Sequence, residues 1–476
     1  MGFETILLII AVLSGLYMAW SIGANDVANA MGTSVGSGAL TIKRAVFIAA
    51  ILEFAGAFFV GTHVSETIRK GIVSPVIFQD NYLLLVYGMT GALLAAAIWL
   101  QIASYYGWPV STTHSIVGSV IGFGMVVGGI EAISWGKVAF IAASWVVSPL
   151  LSGTIAFILF VYLRNAIYYN DDPVAAAKRL TPYLTFFVFL VLTLAMVFKG
   201  LKNLKLDLEF GEAIEIALPI GFLAAVISHF LVKRIKPISE KDRVVIRQPS
   251  IVRRSLPRVV TQLEKIASVA KGEIQDELLH MVEDLKTISR EVGQDGTQLE
   301  RSSEEYRTVQ RIFIYLQILS ASFVAFAHGA NDVANAVGPL AAVISVLSTH
   351  TVVMKAQVPP WILGLGGVGI VIGLATWGWR VMITIGKRIT ELTPTRGFAA
   401  EFAAAITIVL ATKLGLPIST THTLVGAVLG VGLARGISAL NLRVVSDIVV
   451  SWIITIPVGA VGSILFYYIL KAIFGG

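Results

Sequence analysis

The sequence predicts an all-α integral membrane protein built from two related halves around a polar helical insert. Three observations carry this. Of 476 residues, 56% are hydrophobic and 14% charged, where soluble chains average about 25% charged. Apolar runs at 3–22, 82–100, 180–198 and 441–470 are each long enough to cross a bilayer as helix, which takes about 20 residues. Finally, the octapeptide Gly-Ala-Asn-Asp-Val-Ala-Asn-Ala stands identically at 23–30 and 329–336.

Helices follow from the apolar runs because a lipid-embedded backbone must satisfy its own hydrogen bonds. The short alternating segments of a membrane barrel are absent from the sequence. About twelve apolar segments are expected, several of them broken by Gly or Pro. The first run has no basic flank or clear cleavage site and reads as a retained helix. With no cysteine, disulfides and thiolate metal sites are excluded. The net charge of +7 does not point to nucleic acid, because much of it sits in one loop.

Hydropathy divides the chain into membrane-embedded residues 1–232, a polar insert at 233–309 and membrane-embedded residues 310–476. From Lys233 to Arg258 the insert holds nine Lys or Arg against Glu240 and Asp242. A basic stretch directly after a membrane segment favours the cytoplasmic side and contact with anionic lipid. Between Val259 and Val292, helical spacing of Val260, Leu263, Ile266 and Val269, then Leu278, Met281, Val282 and Leu285, predicts two amphipathic helices parted at Gly272.

The duplication extends beyond the octapeptide. Gly107-Trp-Pro-Val-Ser-Thr-Thr-His-Ser115 is matched by Gly415-Leu-Pro-Ile-Ser-Thr-Thr-His-Thr423, and Ser144-Trp145 by Ser451-Trp452. The offsets are 306, 308 and 307, so order and spacing are kept together. Matched, Gly/Pro-interrupted halves are the pattern of transporters whose site lies between repeats near the bilayer midplane. Repeats of inverted topology with broken or re-entrant helices are expected.

Two chemistries emerge. In each Pro-x-Ser-Thr-Thr-His element, Gly and Pro end one helix and hydroxyls open the next. Ser111, Thr112 and Thr113, with Ser419, Thr420 and Thr421, would add hydroxyls to the free amides and positive dipole of a helix start, which suits a tetrahedral oxyanion. Ordinary helix capping is the competing reading. In the octapeptides, Asn25, Asp26 and Asn29 with Asn331, Asp332 and Asn335 are hard oxygen donors for a hard cation, and the glycines are expected to let the helix unwind locally. Their alanines and glycines also suit close helix packing, but packing does not account for buried acids, which are costly in a membrane. A cation between acid and anion would couple the two solutes. His114 and His422 follow the hydroxyls, either to touch the anion or carry a proton, or to pack locally. Glu53 and Glu401 are further acids in apolar runs, as cation ligands, gating groups or interhelical hydrogen-bonding groups.

These motifs, together with Glu66-Thr-Ile-Arg-Lys-Gly71 and the polar central loop, resemble the inorganic phosphate transporter (PiT) family over nearly the whole chain. The resemblance implies phosphate import by symport, with no cofactor beyond a coupling ion. The stretch from Gly32 to Gly71 is closer to sodium-coupled than to proton-coupled members. It also implies that Asn25, Asp26, Asn331, Asp332 and both Ser-Thr-Thr clusters belong to the transport site, with Glu53 and Glu401 needed for transport. A multi-pass location in the cell membrane and, if the chain oligomerises, a homodimer are the corresponding expectations. Sulfate is the rival anion. An intramembrane hydrolase is disfavoured because every candidate group occurs twice and no Gly-x-Ser-x-Gly elbow is present. A passive channel is disfavoured by the broken helices of a repeat.

Overall fold

A computed structural model describes residues 2–62, 64–65, 72–197, 208–235, 250–270, 273–293, 297–352, 358–437 and 440–475. The Glu66–Gly71 motif and Gly272 lie outside them. Apart from one isolated bridge between Val73 and Ile133, the described elements are helices. In the first half these are α1 (Phe3–Asn25), α2 (Val27–Gly36), α3 (Ile42–Val60), α4 (Tyr82–Tyr106), α5 (Thr112–Gly128), α6 (Trp135–Leu163), α7 (Pro173–Val197) and α8 (Phe210–Lys233). The insert forms α9 (Ser250–Val269) and α10 (Glu273–Gly293). The second half holds α11 (Thr297–Thr349), α12 (Pro360–Trp377), α13 (Trp379–Arg388), α14 (Pro394–Lys413), α15 (Thr420–Arg435) and α16 (Leu442–Phe474). Among the described residues nine helical spans are long and apolar enough to cross a membrane, and α5 is a shorter apolar helix.

Local chemistry sets the breaks that matter. Helix α4 ends at Gly107, which adopts the left-handed φ of 69°, and the chain beyond α14 turns at Gly415 with φ 67°. A β-carbon disfavours that conformation. Pro109 and Pro417 follow, and the next helices start at matched caps. Ser111 accepts a hydrogen bond from the His114 amide and Ser419 from the His422 amide, each at 3.2 Å.

The halves interlock instead of lying side by side. Helix α5 packs on α16 and α15 on α6, while α1 packs on α12 and α11 on α3. These are the same contacts made twice with the roles of the halves exchanged. A β-carbon at Gly23 would fall 1.9 Å from the Ile370 carbonyl oxygen, and one at Gly329 would fall 2.2 Å from the Glu53 carbonyl oxygen. Such backbone-to-backbone approach is how small residues join helices in lipid.

This corrects one expectation for one of the two copies. The second octapeptide does not unwind, whereas the first is interrupted at Asp26, between α1 and α2. In the second copy α11 runs unbroken from Thr297 to Thr349. In the first, Asp26 keeps a helical φ of −87° and ψ of −25°, and its amide still bonds the Ile22 carbonyl. The glycines serve close packing, and the side-chain oxygens of the motif are its candidate cation donors. Helix α11 also begins well before residue 310, so the last part of the polar insert is continuous with the second motif helix. No Gly or Pro interrupts that stretch, and a helix need not end where hydropathy changes. In the insert, α9 and α10 pair with each other, burying Val260, Ala267 and Val282.

Candidate functional site

The two octapeptides and the two helix starts meet in one buried cluster. Asp26 sits at the joint of α1 and α2, Asp332 in the middle of α11, and both are fully buried. Asp26 accepts a hydroxyl from each half: Thr112 on Oδ2 at 2.6 Å and Thr421 on Oδ1 at 2.9 Å. Asp332 Oδ2 accepts from Thr420 at 2.8 Å. The helix starts also touch one another reciprocally. Thr113 donates to the Ile418 carbonyl at 2.9 Å, and Thr421 to the Val110 carbonyl at 3.3 Å.

The asparagines divide by role. Asn25 Nδ2 donates to Ser104 Oγ and the Trp108 carbonyl, each at 3.0 Å. Asn331 Nδ2 donates to Thr412 Oγ1 at 2.9 Å and the Leu416 carbonyl at 3.3 Å. Both therefore clamp the chain just where Gly and Pro break it. Asn335 instead reaches into the cluster, donating to Thr112 at 3.1 Å and Thr113 at 3.2 Å. The Asn29 side chain lies outside the described structure. Ser111 and Ser419 spend their hydroxyl oxygens as helix caps.

One member escaped the sequence reading. His328 is fully buried, with Nδ1 2.7 Å from Glu53 Oε2 and Nε2 2.7 Å from Asp332 Oδ2. The second contact is close but not aligned as a hydrogen bond. Asp26, His328 and Asp332 each offer a ligand atom within 4.8 Å of the others. The signal was present: the identical octapeptides are preceded by Ile22 in one copy and His328 in the other. Comparing the copies for likeness passes over the residue that makes them differ. His328 also explains Glu53, whose contact with the cluster among the described residues is that imidazole.

Glu401 stands elsewhere. Its carboxylate accepts from Thr33 at 2.5 Å, from Ser34 and Ser320 at 2.6 Å, and from Gln317 at 3.2 Å. Four neutral donors satisfy it without a charged partner, so Glu53 and Glu401 occupy different environments. His114 and His422 lie between the halves, ring centroids 4.3 Å apart. His114 packs on Trp145 at 3.9 Å and His422 on Trp452 at 3.5 Å. Their ring neighbours are aromatic, and neither imidazole contacts a carboxylate among the described residues.

The cluster has a charge problem that defines its chemistry. Carboxylates about 5 Å apart repel by about 3 kcal/mol at an effective dielectric of about 20. Buried Asp332 Oδ1, Asn335 Oδ1, Asn331 Oδ1 and Glu53 Oε1 also have no hydrogen-bond partner in the structure. All four are acceptors. Unpaired buried acceptors beside two acids can hold a cation, and a set that is oxygen apart from the His328 nitrogen suits a hard one.

A model of the phosphate transporter family matches residues 22–463. The chain is 46% identical to the chloroplastic inorganic phosphate transporter 2-1 of Arabidopsis thaliana, over 97% of this chain and 72% of that protein. It is 44% identical to a putative phosphate permease of Chlamydia pneumoniae over 98% and 99% of the two chains, and 41% identical to one of Pyrococcus abyssi over 97% and 98%. A solved structure described as the sodium-dependent phosphate transporter is similar with a TM-score of 0.79 and 38% identity, covering 98% of this chain and 99% of that one.

Proposed function

Since this chain belongs to the phosphate transporter family, we propose that it imports inorganic phosphate by sodium symport, through alternating access at the buried cluster between its halves. It is a multi-pass membrane transporter and not an enzyme. The observation that carries the mechanism is Asp26, whose two carboxylate oxygens accept hydroxyls from the helix starts of opposite halves.

That arrangement supplies a reason for coupling. Thr112, Thr420 and Thr421 donate their hydroxyl protons to Asp26 and Asp332. Sodium taken up by the oxygens of Asp26, Asp332 and Asn335, with Asn29 as the corresponding residue of the first copy, neutralises the acids. The hydroxyls then turn to phosphate oxygens at the starts of α5 and α15, where first-turn amides and helix dipoles favour an anion. Each solute binds better when the other is present, which is the thermodynamic content of symport. Phosphate is preferred to sulfate because a protonated phosphate can donate to a nearby carboxylate. Glu53 acts through His328, and Glu401 holds α14 to α2 and α11. Ser111, Ser419, Asn25 and Asn331 shape the anion site, while His114 and His422 contribute by packing.

A second reading rests on His328. An imidazole between two carboxylates is an arrangement that moves protons, so a proton in place of sodium is the rival coupling ion. Uptake of radiolabelled phosphate into proteoliposomes separates them. Sodium-driven accumulation that resists excess sulfate is expected. Accumulation under a proton gradient alone would replace the ion and keep the site. No accumulation under either gradient would remove the assignment. We further propose a cell-membrane location with the insert on the cytoplasmic side, inverted-topology repeats, and a homodimer, the last readable from the mass of the purified protein by light scattering.

A further inference from the structure

Away from the transport cluster, a cavity of about 1020 Å3 opens between α7, α8 and α11. Its walls are hydrocarbon: Phe189, Leu223, Ile227, Leu316 and Leu319 among others. The hydroxyls in the wall are already engaged, Thr181 with the Ala177 carbonyl and Thr185 with Ser228 and the Thr181 carbonyl. Charge appears at one end only, where Arg234 just past α8 and Arg311 on α11 line the mouth. Lys178 lies at the same end, its Nζ 2.6 Å from the Ile235 carbonyl. Neither guanidinium has a carboxylate partner among the described residues. From Ile220 to Arg234 the groove follows α8 for about 21 Å of helix rise, the length scale of an acyl chain.

We propose that this groove seats one anionic phospholipid, its acyl chains against α7, α8 and α11 and its phosphate between Arg234 and Arg311. Basic pockets between membrane helices are the recognised form of an anionic headgroup site. A neutral lipid leaves the two arginines unmatched. A second copy of this chain is disfavoured, because an isologous contact on the groove brings the same arginines to the same mouth. The seat would tie the α7–α8 hairpin to the helix that carries Asp332.

The test uses the full chain in detergent, equilibrated with an equal mixture of phosphatidylglycerol and phosphatidylcholine and read by native mass spectrometry. One retained phosphatidylglycerol per chain is expected. The Arg234→Gln/Arg311→Gln double variant should bind it about thirtyfold more weakly, from about fivefold per arginine. Arg311→Lys should keep most of the binding. Ala224→Trp, which fills the apolar groove and leaves the mouth intact, should also lose the lipid; circular dichroism melting shows that each variant is folded. Equal retention of both lipids, or undiminished phosphatidylglycerol in the folded double variant and in Ala224→Trp, would overturn the proposal. So would dimers that fall apart in Ala224→Trp while the wild type carries no lipid.

Discussion

Asp26 and His328 show how two residues turn a repeated motif into an asymmetric site. Asp26 is shared by both halves through Thr112 and Thr421. His328 belongs to one half only and spans Glu53 and Asp332. Replacing either acid, as Asp26→Asn or Asp332→Asn, should lower sodium-driven phosphate uptake by about a hundredfold, the upper range of a coupling free energy, with the melting temperature in detergent little changed for Asp26→Asn. His328→Ala should behave differently. It leaves Glu53 and Asp332 buried without their common partner, a change that typically costs about 3–5 kcal/mol, so loss of thermal stability should accompany loss of transport. The acids and hydroxyls of this site were legible in the sequence because they occur twice at a fixed offset. His328 was not, since its significance lies in having no counterpart. The clamping role of Asn25 and Asn331 was also hidden, because it depends on helix ends about 80 residues away meeting each motif.

At the scale of elements, the breaks and the packing have different causes. Helix ends at Gly107 and Gly415, and starts at Ser111 and Ser419, follow from local backbone chemistry and were readable residue by residue. Glycines inside helices carried two meanings, unwinding or close approach, and only tertiary contacts distinguish them. Gly23 and Gly329 proved to be contact points against backbone oxygens of α12 and α3. Gly23→Ala and Gly329→Ala should therefore each destabilise the protein by about 1–3 kcal/mol or more through overpacking. Gly136→Ala, where a β-carbon would meet nothing within 4 Å, should be neutral or stabilising by up to about 1 kcal/mol. Thermal melting of the three variants in one detergent checks the contrast. Similar losses in all three would mean that helix flexibility, and not contact, is what the glycines supply.

For the whole molecule, α5 packs on α16 and α15 on α6, so each half is built partly against the other. The proposed alternating access then requires elements of the two halves to move about the cluster they share. Composition and run length sufficed for the membrane class, and repeat spacing for the pairing of the halves. The continuity of α11 with the last part of the polar insert was not legible, because hydropathy marks membrane entry and not helix ends. The natural absence of cysteine makes orientation directly measurable. A cysteine placed at exposed Lys265 on α9 should react with an impermeant maleimide only when the cytoplasmic face is accessible, as in inside-out vesicles.

The central claim is that a cation frees the threonine hydroxyls for phosphate. Calorimetric titration of the purified protein with phosphate, with sodium and then with choline in its place, tests this without any gradient. The account predicts saturable phosphate binding in sodium, at least about tenfold weaker binding in choline, and loss of the sodium effect in Asp26→Asn. Phosphate affinity that is the same in both salts would contradict it, because the carboxylates would then hold no hydroxyl that a cation needs to release.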